Sequence, residues 1–284
     1  MNDGIIEIVS KGLVTSGSSF LLDKKAAYER AIAKEKNPQA KWTLETILQN
    51  AIIAEANRSP LCDDTGIPHL VLDVGSNRNI TGMMLESVKE GVRQGLRKLP
   101  GRPMAIKGED EHRIDQSLGM EEDPGAVDVA PILIRPIDDD KIRLHIMMFG
   151  GGPAIRAKTY RVFHKHNVDT VIDEIVEWST EGTKLLGCTP STLAIGIGRS
   201  HYEATSLMLQ ALVDGTYDAQ SELEQRITDG VNAAGVGALG LGGNTTVLAT
   251  FMKVGPQRAS GVRVVCVRPC CCFEPRIATV DLAW

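Results

Sequence analysis

Apolar residues recur at helical spacing in several stretches of the chain. In residues 43–57 the apolar positions fall on one helical face: Leu44, Ile47, Leu48, Ala51 and Ile52. The same periodicity predicts further helices at 81–99, 169–187, 202–213 and about 220–233. The helix at 43–57 leads into a turn at 59–66, with the sequence SPLCDDTG.

Shorter apolar runs between these helices predict β-strands. They lie at 69–75, 131–137, 142–150 and 191–198, and two more strands are expected after residue 236. The tetrapeptide DDDK at 138–141 predicts a hairpin between the second and third runs. Because strands and helices do not strictly alternate, the pattern predicts an α/β (mixed α+β) fold. We expect a single domain over residues 1–284, with any division into two lobes near 130–150.

Composition and charge narrow the function classes. The chain has 284 residues and a formal net charge of −5, so it lacks the basic footprint typical of nucleic-acid binding. No apolar run approaches the roughly 20 residues of a membrane span, and the amino terminus lacks a signal-peptide layout. We therefore expect a cytoplasmic protein with neither nucleic acid nor a membrane as a partner.

The six cysteines are the main candidates for chemistry. They stand at positions 62, 188, 266, 270, 271 and 272. Disulfides rarely persist in a reducing cytoplasm, so clustered cysteines there indicate metal binding or catalysis. The usual paired spacing of zinc sites is missing, whereas three thiolates from distant loops suit an iron–sulfur cluster with one iron left open. Burial of Cys62 as a small apolar residue is the simpler alternative.

The glycine-rich segments and the histidines indicate a functional site less strongly than the cysteines do. Glycines at 150–152, 196–198 and 240–243 favour either anion-binding loops or tight turns. The segment GIGRSHYEA lacks the third glycine of a dinucleotide fingerprint, which makes a nucleotide-dependent oxidoreductase a weak alternative. We expect His145 in the core and the histidines at 164 and 166 on a solvated face. The three tryptophans, at 42, 178 and 284, are expected to be packing residues.

Five segments, in order, carry a resemblance to a known family. They are ETILQNAIIAEANRSPLCDDTG, the glycine triplet at 150–152, LGCTPSTLAIGIGRSHYEAT, VGALGLGGNTTVLATFMKVGPQRAS and CCCFEPR. Together they resemble the α part of the iron–sulfur hydro-lyases, namely class I fumarases and L-tartrate dehydratases. The match covers most of the chain and implies a class I fumarase α-domain-like fold, with mixed sheets and flanking helices.

The resemblance implies a 4Fe–4S cluster held by three cysteines. Carried onto this sequence, the ligands are Cys62, Cys188 and Cys272. Cys272 is chosen because it precedes Arg276 by four residues, as in the family's C-x-x-x-R motif. The neighbouring thiols at 270 and 271 keep that choice open. Cys266 lies in a β-like run and is expected in the core.

The resemblance also implies a reaction and its residues. We expect reversible dehydration of a hydroxy (di)carboxylic acid such as malate or tartrate, with Asp64 as the catalytic residue. The implied substrate-binding residues are Asp63, Gly151, Gly152 and Arg102. In the family the base comes from a β part, and the sequence ends at residue 284, so we expect a separate β subunit within an oligomer.

The sequence departs from the family pattern at five positions. These positions are Asp63 for glutamine, Phe149 for lysine, Pro153 for serine, Arg199 for glycine and Gln257 for histidine. The departures lie beside the implied cluster and substrate, so they leave the substrate open. They also support an alternative, a noncatalytic subunit that binds zinc or iron and keeps only the fold.

Overall fold

The computed structural model describes residues 1–283. Its helices are α1 (Asp3–Ser18), α2 (Leu22–Lys34), α3 (Pro38–Asn57), α4 (Gly82–Lys98), α5 (Asp110–Asp115), α6 (Gly151–Arg156), α7 (Val168–Leu186), α8 (His201–Asp214) and α9 (Glu222–Asn232). Its strands are β1 (Ile67–Gly75), β2 (Leu133–Ile137), β3 (Ile142–Phe149), β4 (Lys158–Phe163), β5 (Ser191–Gly198), β6 (Val247–Val254), β7 (Val262–Cys270) and β8 (Arg276–Asp281). The predicted mixed α/β class is confirmed.

The chain forms two compact units. Unit 1 contains Met1–Phe20, Ala51–Gly150 and the segment from Arg276 onward, and unit 2 contains Leu21–Asn50 and Gly151–Pro275. A single domain with lobes divided near 130–150 stays a prediction.

Unit 1 is built on a four-stranded sheet in the order β2-β1-β3-β8. Helices α1 and α4 pack together over one face, and their apolar side chains join those of the strands in one core. Gly91 of α4 faces Val9 of α1, where an added Cβ would lie 2.7 Å from the Val9 side chain. The close approach of the two helices therefore depends on glycine at this position.

The predicted hairpin between β2 and β3 is wrong. Strand β1 lies between them, pairing parallel with β2 and antiparallel with β3. β1 is an almost continuous apolar run, IPHLVLDVG, and such a strand is stabilised best at the centre of a sheet. β2 contains Pro136, which has no N–H to donate to a ladder, so an edge position suits it.

Unit 2 contains the second sheet, in the order β4-β7-β5-β6. Helices α7 and α9 cover one face, where Ile175 and Ile227 are fully buried against the strands. Helix α8 contacts β5 and β6. Strand β5 is buried at every position, as its apolar sequence STLAIGIG predicts for a central strand.

Several local predictions need correction. Ile52 was expected on the buried face of α3 but is 45% exposed, and Trp42 on the same helix is 64% exposed. Trp178 is buried as predicted, whereas residue 284 lies outside the described residues. Three strands rather than two follow residue 236, and the helices α1 and α2 were not predicted.

One apolar window near the amino terminus is long enough, by composition, to cross a membrane. It lies within Asp3–Lys34, and 56% of it is buried inside the protein. The structure breaks this stretch into α1 and α2, of 16 and 13 residues. A membrane-spanning helix needs about 20 residues, so each helix is short for that purpose. Burial of this kind is typical of core helices.

Candidate functional site

The turn between α3 and β1 carries three of the predicted site residues, all in unit 1. Cys62 is partly buried, and its thiol donates a 3.4 Å hydrogen bond to the carboxylate of Asp63. Asp63 is exposed, whereas Asp64 is half-buried. The turn therefore presents a thiol and two carboxylates on consecutive residues, which is the chemistry that the sequence indicated.

Arg276 fixes the backbone of this turn through hydrogen bonds. Its side chain is only 2% exposed, and it donates to the carbonyl oxygens of Asp64 at 2.8 Å and Met148 at 3.1 Å. Gly66 ends the turn with φ +88°, and an added Cβ would lie 2.6 Å from a guanidinium nitrogen of Arg276. The buried guanidinium thus sets the backbone position of the residue predicted to be catalytic.

The loop after α4 lies against the same turn. The hydroxyl of Thr65 donates to the carbonyl oxygen of Arg102 at 3.3 Å, and the Gly66 N–H donates to the sulfur of Met104 at 3.3 Å. The Arg102 side chain is exposed. Within unit 1 the structure therefore brings the backbone of Arg102 against Thr65, the residue after Asp64. The carboxylate-binding role of Arg102 stays a prediction.

Cys188 and Cys272 meet in unit 2. Cys188 follows α7 on an exposed turn, and its carbonyl oxygen accepts a 2.8 Å hydrogen bond from the N–H of Cys272. Cys272 is buried, and a hydrogen bond with the Cys271 thiol, together with burial, raises the pKa of Cys272. Two predicted ligands from distant parts of the sequence are thus neighbours in space.

The remaining cysteines differ in environment. Cys266 is buried within β7, which confirms its predicted core position. Cys270 is fully buried at the end of β7, and burial raises its pKa. Cys271 is partly exposed. Among the three adjacent cysteines, Cys272 is bonded through its backbone to Cys188, which favours it as a ligand beside Cys188.

The turn at residues 271–274, which follows β7 and contains Cys271 and Cys272, is called the cysteine turn below. Helix α2 supports it with two fully buried polar side chains. The Lys24 ammonium donates to the carbonyl oxygen of Glu274 at 2.7 Å, and the Tyr28 hydroxyl donates to that of Cys272 at 2.7 Å. Burial lowers the pKa of Lys24 to about 8, and negative charge on the neighbouring thiols opposes this shift. Burial raises the pKa of Tyr28, so its hydroxyl stays a neutral donor.

The glycine triplet is not a tight turn. Gly151 and Gly152 are exposed and begin the short helix α6. A Cβ added at Gly152 would meet only a methyl group of Leu186, at 3.9 Å. The fold therefore does not require glycine at position 152, which leaves substrate approach as a reason for it. That reason stays a prediction.

The glycines before α8 have a structural explanation. A Cβ at Gly196 would overlap the carbonyl oxygen of Ala204, and one at Gly198 would lie 2.7 Å from the Ala204 nitrogen. The N–H of Arg199 already donates to the Glu203 carboxylate at 2.6 Å. These glycines allow α8 to pack closely on β5, and a carboxylate occupies the expected anion position. The nucleotide alternative gains no support here.

The loop with the sequence GLGG contacts the Cys188 turn. Thr189, directly after Cys188, accepts a hydrogen bond at its carbonyl oxygen from Leu239 N–H at 3.0 Å. Its hydroxyl accepts another from Gly240 N–H at 3.3 Å. Gly240 has φ +71°, a conformation that glycine adopts without strain. This loop therefore fixes the backbone beside the exposed cysteine.

A buried charge network lies on the sheet of unit 1. Asp73 accepts hydrogen bonds from Arg135 at 2.7 Å and from His145 at 2.9 Å. The second ring nitrogen of His145 bonds to the Thr279 hydroxyl at 2.9 Å. His145 is therefore a satisfied core residue, as predicted. His166 is exposed and His164 half-exposed, which agrees with the predicted solvated face.

The cysteines described above are the candidate ligands for a bound iron–sulfur cluster. Among residues 1–283, no group of three or more His, Cys, Asp or Glu side chains is arranged around a common metal position. Cys188 and Cys272 are nevertheless joined by a backbone hydrogen bond, and both carry thiols, the ligands that such clusters use. Metal binding deprotonates thiols, so a cluster bound at Cys272 would displace the proton of this thiol. The residues of unit 2 fit two of the three ligand positions.

Sequence reasoning missed the residues that support the cysteine turn. These are Lys24, Tyr28 and the ion pair of Arg268 with Glu274, in which the closest atoms lie 3.0 Å apart. The sequence contains one indication of this supporting role. Lys24 shares the buried face of α2 with Ala27, Tyr28 and Ala31. A lysine in such an apolar stripe indicates a buried partner.

Comparisons with known proteins identify a family and several relatives. A family model described as fumarate hydratase (Fumerase) matches residues 7–281. A Methanocaldococcus jannaschii protein, provisionally named L(+)-tartrate dehydratase subunit alpha, is 28% identical over 268 residues, which are 90% of each chain. The L(+)-tartrate dehydratase subunit alpha of Escherichia coli K12 is 24% identical over 241 residues, 83% of this chain and 77% of its own. The Shigella boydii protein of that name gives the same figures.

Proposed function

This chain belongs to the fumarate hydratase (Fumerase) family, and from that membership we propose that it is the α subunit of a 4Fe–4S hydro-lyase. The chain is a hydro-lyase of the class that dehydrates hydroxy dicarboxylic acids. The observation that carries the iron–sulfur proposal is the hydrogen bond between Cys272 and Cys188. This bond joins the backbone of the exposed Cys188 to that of the buried Cys272, and both carry the soft thiol ligands that such clusters use.

The proposed cluster ligands are Cys62, Cys188 and Cys272. Cys62 is included because its turn matches the family motif and carries an accessible thiol. When bound, such a cluster supplies an open iron that acts as a Lewis acid toward a hydroxyl and a carboxylate. The chain's own residues then bind and orient the acid.

Asp64 is proposed to hold the proton that leaves with water. Its backbone is fixed by Arg276 through the 2.8 Å hydrogen bond, which holds the residue in place on the turn. General acid–base transfer needs such a positioned group within hydrogen-bond reach of the proton. The exposed guanidinium of Arg102 is proposed to bind a substrate carboxylate, because planar guanidinium groups pair with carboxylates through two hydrogen bonds. The amides of Gly151 and Gly152 are proposed to contribute to carboxylate binding.

Asp63 is proposed to select a hydroxylated substrate. Two like charges about 4 Å apart repel by roughly 4 kcal/mol at an effective dielectric constant near 20. Such a repulsion in the transition state costs about three powers of ten in rate. A carboxylate at position 63 therefore disfavours a substrate carboxylate there and accepts a hydrogen bond from a hydroxyl. Tartrate-like acids are then better substrates than malate, and Asp63→Gln shifts the preference toward malate.

The proposal includes a separate β subunit, which supplies the base that removes the carbon-bound proton. The relatives named as alpha subunits support this pairing. We further propose that the enzyme is an oligomer of α and β chains and works in the cytoplasm, where a reducing environment protects thiolate ligands.

The test is anaerobic co-purification of the chain with its β subunit, followed by iron, sulfide and zinc analysis. Turnover of tartrate, malate and fumarate is followed by NMR. We expect iron and sulfide in the ratio of a 4Fe–4S cluster, turnover of a hydroxy diacid, and inactivation by air that iron and a thiol reverse. A zinc-containing complex without turnover would instead support the noncatalytic metal-binding alternative.

A further inference from the structure

Helix α2 anchors the cysteine turn at two points. Lys24 and Tyr28 are four residues apart, so both project from the same face of the helix. The first donates to the carbonyl oxygen of Glu274 and the second to that of Cys272, each at 2.7 Å. Both side chains have no exposed surface. The backbone of residues 272–274 is thus held from its buried side.

The carboxylate of Glu274 is already matched by another cation. Arg268 on β7 donates to both of its oxygens, at 3.0 and 3.3 Å, and both side chains are buried. Negative charge on Cys271, Cys272 or Cys270 would favour the charged form of Lys24. The buried ammonium is therefore placed to interact with the cysteines of the turn once they carry negative charge.

A buried ammonium needs a reason beyond one hydrogen bond. A neutral side chain can donate to a carbonyl oxygen, whereas burying a charge costs several kcal/mol unless an opposite charge lies near. Thiolates bound to iron provide a lasting negative charge. Reduction of the cluster adds one more electron, and a fixed positive charge nearby favours the reduced form.

We propose that Lys24 is a positioning residue whose buried charge raises the reduction potential of a cluster bound at Cys272, while Tyr28 fixes the backbone of the same turn. This inference rests on the proposed function, because it requires a cluster ligated by Cys272. It assigns separate effects to two neighbouring side chains. Lys24 acts through charge, and Tyr28 acts only through its hydrogen bond.

The experiment uses the anaerobically reconstituted αβ complex and four variants of the α chain. Lys24→Gln removes the charge and keeps an N–H donor, whereas Lys24→Arg keeps the charge. Tyr28→Phe removes only the hydroxyl. Lys34→Met, at the exposed end of the same helix, is the matched control. The measurements are the reduction potential by EPR-monitored titration, the rate of iron loss to a chelator, and thermal unfolding of the cluster-free protein.

We expect Lys24→Gln to lower the equilibrium constant for one-electron reduction at least tenfold, which is about 59 mV. Lys24→Arg and Lys34→Met should leave the potential near that of the wild type. Tyr28→Phe should keep the potential but lose iron several-fold faster.

Four results overturn it. An unchanged potential in Lys24→Gln, or an equal shift in Lys34→Met, removes the charge effect while the proposed function stands. A cluster-free Lys24→Gln protein that does not fold shows that Lys24 serves the fold. A wild-type complex without iron and sulfide overturns the proposed function itself, so the two failures are distinguishable.

Discussion

The N–H of Cys272 donates a 2.8 Å hydrogen bond to the carbonyl oxygen of Cys188. This bond joins two turns that lie far apart in the sequence, one after α7 and the other after β7. It brings together two residues that the sequence predicts to be cluster ligands, and the ligand role stays a prediction.

The first prediction concerns these ligands. Cys188→Ser and Cys272→Ser should each abolish retention of the cluster, because an alkoxide is a poor substitute for a soft thiolate. Cys266→Ala, in the buried part of β7, should retain it. Iron and sulfide content after anaerobic reconstitution is the measurement. Loss of the cluster in Cys271→Ser together with its retention in Cys272→Ser would reassign the third ligand.

The second prediction concerns Gly152. Gly152→Ala should leave the free energy of unfolding within about 0.5 kcal/mol of the wild type, since the added methyl meets only Leu186 at 3.9 Å. It should raise KM for the hydroxy acid, because the methyl blocks close approach to the backbone. Gly261→Ala, where a Cβ meets nothing within 4 Å, is the control for both measurements. Unchanged kinetics in Gly152→Ala would remove this residue from the substrate site.

The third prediction compares two glycines with positive φ. Gly119 has φ +73° and open space around an added Cβ, whereas at Gly66 the Cβ would meet Arg276 and the Phe149 carbonyl oxygen. Gly119→Ala should cost about 1 kcal/mol from backbone strain. Gly66→Ala should cost about 1–3 kcal/mol more from overpacking and should reduce activity by displacing Asp64. Urea unfolding measures the loss of stability in each of the two variants. Equal costs would show that Arg276 moves aside freely.

The fourth prediction concerns the pH dependence of stability. Burial favours a higher pKa for Asp73, but hydrogen bonds from Arg135 and His145 lower the pKa below its ordinary value. The stabilisation is therefore complete above the unfolded pKa of about 3.9 and is lost as the pH falls through the lower folded value.

Asp73→Asn should cost about 3 kcal/mol at neutral pH, because it leaves Arg135 without its carboxylate. It should also flatten the loss of stability below about pH 4. Asp138→Asn, on an exposed turn, should change neither the stability at neutral pH nor its loss at low pH. Urea unfolding between pH 2.5 and 7 is the measurement. A variant with the wild-type slope below pH 4 would contradict the assigned linkage.

Local patterns in the sequence determined much of the secondary structure. The predicted strand at 191–198 matches β5, and the helix predicted at 169–187 matches α7 within one residue. Periodicity of apolar residues depends on neighbours a few positions away, so it can be read without knowing the fold. The ordered motifs around the cysteines likewise identified the family, because motif spacing is a property of the sequence alone.

Only the tertiary structure decided the arrangement of those elements. The sequence placed β2 beside β3, but β1 lies between them, because a largely apolar strand is stabilised by burial inside a sheet. The sequence also gave no role to Lys24, whose partners near residue 272 belong to the opposite end of the chain. Partners of buried charges are set by contacts between distant residues, and local periodicity carries no information about them.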